Sequence, residues 1–188
     1  MSADSVLSAP IAALRGGPGS AAAQVLAAFA LRRKADGVAV VGVIVPSGAA
    51  TQAADGGHEN CQCKGVLLDL STGETIGIHQ DLGPGSEACN LDSSALARAC
   101  GGVEQAIAAG AELAVLDRFG GQEAARGGLM AVFQAAVAAG LPVACVVAPK
   151  AEAVWEKFAE GLSVWLPAEA EALEAWWQCQ AGGKRRAA

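Results

Sequence analysis

The chain has 188 residues, of which 53 % are hydrophobic and 17 % are charged, and these proportions exclude a disordered protein. Its formal net charge is −6, which argues against nonspecific nucleic-acid binding because such binding depends on clustered lysine and arginine. Glycine and charged residues interrupt the apolar runs well short of a membrane span, and the first ten residues lack the pattern of a signal peptide. We therefore expect a soluble, cytoplasmic protein that binds neither nucleic acid nor membrane.

Apolar runs of strand type and helix type alternate along the chain. Two short apolar runs flank Ser71, Thr72, Gly73 and Glu74, and this arrangement predicts a β-hairpin because Gly73 can adopt a positive φ. The predicted elements are, in chain order, strand 10–14, helix 20–34, strand 38–46, loop 47–60, hairpin 63–80, helix 93–109, strand 111–119, a glycine-rich turn and a helix to about 139, strand 141–148, a helix from about 150, the short run 162–167 and a last helix ending near 179.

This alternation predicts a three-layer α/β fold. Its sheet is expected to be mostly parallel, with helices on both faces, and the β-hairpin is an antiparallel insertion. The domain is expected to span 10–180, between a flexible N-terminus at 1–9 and a flexible basic tail at 181–188. Ligands of such sheets bind beyond the carboxyl ends of the strands, so the loops there are the candidate sites.

The first of these loops is "RGGPGS", residues 15–20, between the first strand and the first helix. A phosphate loop reads G-x-x-x-x-G-K-[ST], but neither possible register supplies the lysine or the magnesium-binding hydroxyl. Backbone N–H groups at a helix start still favour an anion. The candidate anion-binding residues here are Gly16, Gly17, Gly19 and Ser20, although Ser20 can also act simply as a helix cap.

The second loop carries Cys89, Asn90 and Asp92 before the helix at 93–109. A thiol that faces helix N–H groups has a lowered pKa, which makes Cys89 a candidate for chemistry. Asp92 is a candidate anion-site residue and equally a plain N-cap.

The third loop, "LDRFGGQEAARGG" at 116–128, supplies the charged candidates. An apolar strand ending in Asp117 is similar to the strand that holds magnesium in nucleotide hydrolases. Arg118 can bind a tetrahedral oxyanion through several N–H groups, or form a surface pair with its neighbours. Glu123 is the candidate for orienting water in a hydrolase, and its charge also suits a helix start.

Six cysteines are expected to be reduced in a cytoplasmic chain. Cys61 and Cys63 would share one face of a strand and, with His58, could bind a soft metal such as zinc or copper(I). Ligands this close together also occur by chance. Cys145 lies in an apolar run and is predicted to be a buried small hydrophobe, and His79 a packed strand residue.

The segments "VVGVIVP", "CKGVLLDLSTGE", "ACNLD", "LAVLDRFGGQEAARGGL" and "LPVACVV" follow one another as in a bacterial domain family of unknown function. That family is often encoded beside molybdate-transport genes and is similar to the thermophilic-type nucleoside triphosphatases, here with a degenerate phosphate loop. The resemblance covers about 11–177 and implies a P-loop-NTPase-like fold. It also adds Cys89, Asn90 and Gln122 to the candidate anion-binding residues and makes molybdate or tungstate the expected ligand.

Three functions therefore remain open. The first is a molybdenum-linked oxyanion protein that binds, stores or delivers molybdate or tungstate, with a protein of molybdenum metabolism and further copies of the chain as partners. The second is a weak nucleoside triphosphatase that uses a magnesium-nucleotide, with Asp117 and Glu123 in the hydrolase roles. The third is a transition-metal or redox protein that uses His58, Cys61, Cys63 and Cys89. The missing lysine favours a protein that is not an enzyme.

Overall fold

The computed structural model describes residues 7–17, 19–46, 65–78 and 91–187, with side chains as far as 182. The strands are β1 (Ile11–Arg15), β2 (Val40–Ile44), β3 (Val66–Asp69), β4 (Thr75–Gly77), β5 (Leu113–Phe119), β6 (Val143–Val147) and β7 (Ser163–Leu166). The α-helices are α1 (Ala21–Ala35), α2 (Ser93–Ala108), α3 (Gly121–Ala124), α4 (Met130–Ala138), α5 (Glu152–Phe158) and α6 (Ala170–Ala187), and a 3₁₀ turn at Pro149–Ala151 precedes α5.

These strands form a seven-stranded sheet in the order β4-β3-β2-β5-β6-β1-β7. The β2–β3 and β3–β4 pairs are antiparallel, and the other four neighbouring pairs are parallel. Helices α2, α4 and α5 cover one face of the sheet, and α1 and α6 cover the other. The predicted three-layer α/β fold with an inserted hairpin is confirmed.

Strand β1 is buried on both faces and paired on both sides. Ile11 and Ala13 pack in the layer of α2, α4 and α5, while Ala12 and Leu14 pack in the layer of α1 and α6. All four side chains are at most 1 % exposed. A continuous apolar run is what a parallel strand between two helical layers requires, because neither face meets water.

Two predicted boundaries differ from the structure. The last helix continues to Ala187 instead of ending near Cys179, so the predicted domain boundary at 180 falls inside α6. Its side chains also hold the N-terminal segment, since Trp176 donates to the carbonyl of Ala9 and Gln180 to those of Leu7 and Ala9. Residues 1–6 lie outside the described residues.

None of the helices in the described ranges combines the length with the apolar character that a membrane crossing requires.

Gly42 in β2 lies close to the backbone of the neighbouring strand β5. Its φ is +118°, and a Cβ atom there would lie 1.9 Å from the carbonyl oxygen of Val115 on β5. A side chain at this position would therefore push β2 away from β5, next to the carboxyl edge of the sheet.

We expect Gly42→Ala to lower the free energy of unfolding by about 3 kcal/mol or more, because it combines a steric clash with a disallowed backbone conformation. Urea denaturation monitored by circular dichroism measures the change. Gly77→Ala in β4 is the control, since its Cβ would meet no atom within 4 Å, and we expect a change within about 0.5 kcal/mol. Equal stabilities of the two variants would contradict the prediction.

Candidate functional site

The candidate site lies where the connections of two adjacent parallel strands diverge. β1 and β6 are neighbours, but the chain leaves β1 into α1 on one face and leaves β6 into α5 on the other. Diverging connections leave a crevice at the carboxyl edge, which is where open α/β sheets bind their ligands. The loop at 15–20 and the segment 117–123 after the buried part of β5 both reach this edge.

The loop after β1 is held tightly against the start of α1. The N–H of Gly16 donates to the carbonyl of Val147 at 3.0 Å, and the N–H of Ser20 donates to the carbonyl of Gly17 at 3.1 Å. The Oγ atom of Ser20 accepts from the N–H of Ala23 at 3.3 Å, so Ser20 caps the helix. Gly19 has a φ of +69°, a conformation that favours glycine.

No lysine can reach this loop from the usual position. Read from Gly16, the phosphate-loop lysine would stand at Ala22, which is 2 % exposed and packs in the core beneath α1. Arg15 is also held elsewhere: its Nε donates to Oε2 of Glu152 at 3.2 Å, and its guanidinium lies 4.1 Å from the ring centroid of Trp165. Both partners lie on the α5 side of the sheet.

Asp117 is a buried carboxyl group at this edge. It is 9 % exposed, and its Oδ2 accepts from the N–H of Val45 at 2.7 Å, across from the end of β2. Burial raises the pKa of Asp117 above its usual range, against the smaller opposing effects of the Val45 N–H and the Arg118 charge. A buried acid with a raised pKa at a strand end is a candidate functional group.

Glu123 is bound on both of its oxygens by backbone groups. Oε2 accepts from the N–H of Gly120 at 2.9 Å and Oε1 accepts from the N–H of Leu129 at 2.8 Å, while the side chain is 6 % exposed. A Cβ atom at Gly128 would lie 2.1 Å from Oε1, so that glycine leaves room for the carboxylate. Glu123 thus links the start of α3 to the start of α4.

Arg118 and Gln122 are exposed on the same segment. The Arg118 side chain packs over Gly120, whose Cβ position lies 3.4 Å from Nε. Within the described ranges, the guanidinium group of Arg118 forms no ion pair.

Asp92 caps α2, as the N-cap interpretation expects. Its Oδ1 accepts from the N–H groups of Ser94 and Ala95, both at 2.9 Å. One oxygen of Asp92 is therefore occupied by the helix.

The remaining predicted residues, His58, Cys61, Cys63, His79, Cys89 and Asn90, lie outside the described residues. In the described ranges there is no cluster of three or more potential metal ligands. Cys145 is buried, as predicted. Burial, helped by the charges of Glu104 and Glu123, raises the pKa of Cys100 to about 11, so this thiol is not a reactive one.

An apolar cavity of about 220 Å³ lies at the opposite, amino edge of the sheet. Its lining includes Ile11, Phe158 and Leu162, with Gln134 as a polar side chain. An anion would find no cation there, so this cavity does not fit the chemistry of the carboxyl edge.

The interactions of Arg15 with Glu152 and Trp165 have no signal in the sequence, because the three residues are far apart along the chain. The contact of the Glu123 carboxylate with backbone N–H groups could have been predicted from the sequence. A glutamate three residues after Gly120, at the start of a short helix, is the spacing of a capping box.

The chain belongs to the family described as protein of unknown function (DUF2478), whose profile matches residues 11–176. Over 118 residues it is 42 % identical to the molybdenum import ATP-binding protein ModC 2 of Bradyrhizobium diazoefficiens. That match covers 63 % of this chain but only 13 % of the relative's length.

The fold resembles that of a P-loop nucleoside triphosphatase. The solution structure of a human cancer-related nucleoside triphosphatase superposes with a TM-score of 0.51, covering 83 % of this chain and 87 % of that one, at 18 % sequence identity. This similarity concerns the fold.

We expect Asp117→Asn to raise the free energy of unfolding at pH 7, because the neutral amide removes a buried charge and its oxygen can still accept from Val45. Because the folded-state pKa of Asp117 is raised, its neutral carboxyl group contributes its full stabilisation below the usual pKa of about 3.8. This contribution is lost as the pH rises through the folded-state pKa. The advantage of the variant should therefore shrink towards acidic pH in urea titrations. A loss of stability that is equal at all pH values would contradict this assignment.

We expect Glu123→Gln to lower the free energy of unfolding by about 1–3 kcal/mol, since the amide NH₂ would face a buried backbone N–H in place of an acceptor. Chemical denaturation measures the loss. Glu156→Gln on α5 is the control, because Glu156 is exposed, and we expect a change within about 0.5 kcal/mol. An undiminished stability of Glu123→Gln would show that the two backbone contacts are dispensable.

Proposed function

We propose that this member of the DUF2478 family binds a tetrahedral oxyanion at the carboxyl edge of its sheet and does not hydrolyse nucleoside triphosphates. The proposed ligand is molybdate or tungstate, and the proposed role is its storage or delivery in the handling of molybdenum. The observation that carries the proposal is a loop between β1 and α1, the position of a phosphate loop, that lacks the lysine and the magnesium-binding hydroxyl of such a loop.

Two kinds of donor support anion binding. The helix α1 has 15 residues, and the positive end of its dipole lies at the loop that contains Ser20. Arg118 adds a guanidinium group with no ion pair in the described ranges, and its N–H groups match the geometry of an oxyanion. Neutral donors and one arginine can together replace the hydration of a dianion.

Three features argue against hydrolysis. Ala22 stands where the lysine for the β- and γ-phosphates would be, and it is buried. Arg15, the nearest cation in sequence, is engaged with Glu152 and Trp165. Glu123 has both oxygens engaged by backbone N–H groups, so orienting a water would cost it one of these bonds.

The choice of molybdate is supported by the relative, which is a molybdenum import ATP-binding protein. The match covers only 13 % of that relative's length. The relative's activity and partners therefore come to this chain only as proposals. The proposed partners are a protein of molybdenum metabolism and further copies of the chain.

Binding of a magnesium-nucleotide is the second candidate, and Asp117 favours it. The relative is described as ATP-binding, and the fold is that of a nucleoside triphosphatase. Asp117 is buried at the end of β5, and its Oδ1 has no hydrogen bond within the described residues, so it would suit a magnesium ion or one of its waters. The ion would neutralise phosphate charge at the crevice.

Calorimetric titration of the purified chain separates these candidates. We expect molybdate and tungstate to bind while sulfate and phosphate bind more weakly, and Arg118→Ala to weaken molybdate binding about tenfold, through loss of charge-assisted hydrogen bonds. Lys157→Ala on α5 is the matched control, because it removes an exposed cation near the amino edge. Its affinity should stay within about twofold of wild type.

The titration that tests nucleotide binding uses ATP with magnesium, on wild type and on the Asp117→Asn variant. Binding of ATP with magnesium, lost in Asp117→Asn, together with no heat from molybdate, would replace the first candidate by the second. Release of inorganic phosphate from ATP would overturn the statement that the chain does not hydrolyse nucleotides.

A further inference from the structure

The C-terminal end of α3 carries an arginine where the backbone favours glycine. Arg126 has a φ of +64°, in the left-handed region. Its N–H donates to the carbonyl of Glu123 at 2.9 Å, and the N–H of Gly127 donates to that of Gln122 at 2.8 Å. This pair of bonds is the Schellman motif, in which the residue at the position of Arg126 is usually glycine.

The backbone therefore gains nothing from the arginine side chain. A residue with a Cβ atom is strained in this conformation, and the two residues that follow, Gly127 and Gly128, are both glycine. Arg126 is exposed and forms no ion pair with any residue in the described ranges. A strained residue with a free charged side chain is a candidate for binding.

Arg118 and Arg126 flank the same short helix. The Arg118 side chain packs over Gly120 just before α3, and Arg126 follows Ala125 just after it. The four residues of α3 span about 6 Å, so only a short helix lies between the two segments that carry these arginines.

The acidic side chain of this segment is buried, whereas its two basic side chains are exposed. Its carboxylate, Glu123, points inward and is bound by two N–H groups, while both arginines face solvent. Among the described residues, this segment thus exposes two positive charges while its glutamate is buried, in a chain with a net charge of −6.

We propose that Arg126 is a second anion-binding residue, which together with Arg118 binds a tetrahedral dianion at the α3 turn. This inference rests on the proposed oxyanion site and deepens it. The ligand chemistry is shared by free molybdate and by a phosphoryl group of a magnesium-nucleotide. Two guanidinium groups provide paired N–H donors to both kinds of oxygen.

The test uses Arg126→Gly and Arg126→Ala in the full chain, titrated with sodium molybdate and, separately, with ATP and magnesium. For the ligand that wild type binds, we expect both variants to lose about tenfold in affinity. The melting temperature of Arg126→Gly should be equal to or above that of wild type, because glycine relieves the backbone strain. Lys157→Ala again controls for the loss of one positive charge.

A weakened ligand affinity at an undiminished melting temperature would support a binding role, because a purely structural residue would not separate the two. Arg126→Gly with an affinity within about twofold of wild type would overturn the inference. If Arg118→Ala weakens binding and the Arg126 variants do not, only this inference fails. If wild type binds neither molybdate nor ATP, the proposed oxyanion site fails with it.

Discussion

The position of β1 between β6 and β7, buried on both faces, is the constraint on which the candidate site depends. With its neighbours parallel on both sides and helices above and below, the chain can leave β1 only beyond the carboxyl edge. It turns there into α1 on one face, while the neighbouring β6 turns into α5 on the other. The crevice follows from this divergence, whatever side chains line it.

The distribution of charge around this edge depends on which acids are buried. Asp117 and Glu123 both point into the protein, where backbone N–H groups of Val45, Gly120 and Leu129 bind them. Hydrogen bonds of this kind favour the charged form of a carboxyl group, but at Asp117 burial outweighs them and raises the pKa. The arginines of the segment are thereby left without acidic partners in the described ranges, and an acidic protein can offer a cationic surface.

Periodicity was sufficient to predict the sheet, because buried parallel strands such as β1, β2 and β6 are continuous apolar runs. It was not sufficient for α6, whose last turns carry Gly182, Gly183 and three basic residues and yet remain helical. The site was predicted only in part. Strand ends placed Asp117 and Arg118 at the edge, but the sequence cannot show that Arg15 binds Glu152 instead of the loop. That contact joins residues 137 positions apart.

The absence of a lysine from the phosphate-loop position involves the packing of several residues at this edge. Ala22 is packed in the core beneath α1, and a Cβ atom at Gly16 would lie 2.4 Å from Oγ of Ser20 and 2.9 Å from Cβ of Ala22. The loop and the first turn of α1 are thus in close contact, so a lysine at position 22 would have to displace packed atoms. Alanine there favours a loop that contacts its ligand through backbone groups. If this edge binds an anion, as proposed, the positive charge comes from arginines two strands away, at the end of β5 and after α3.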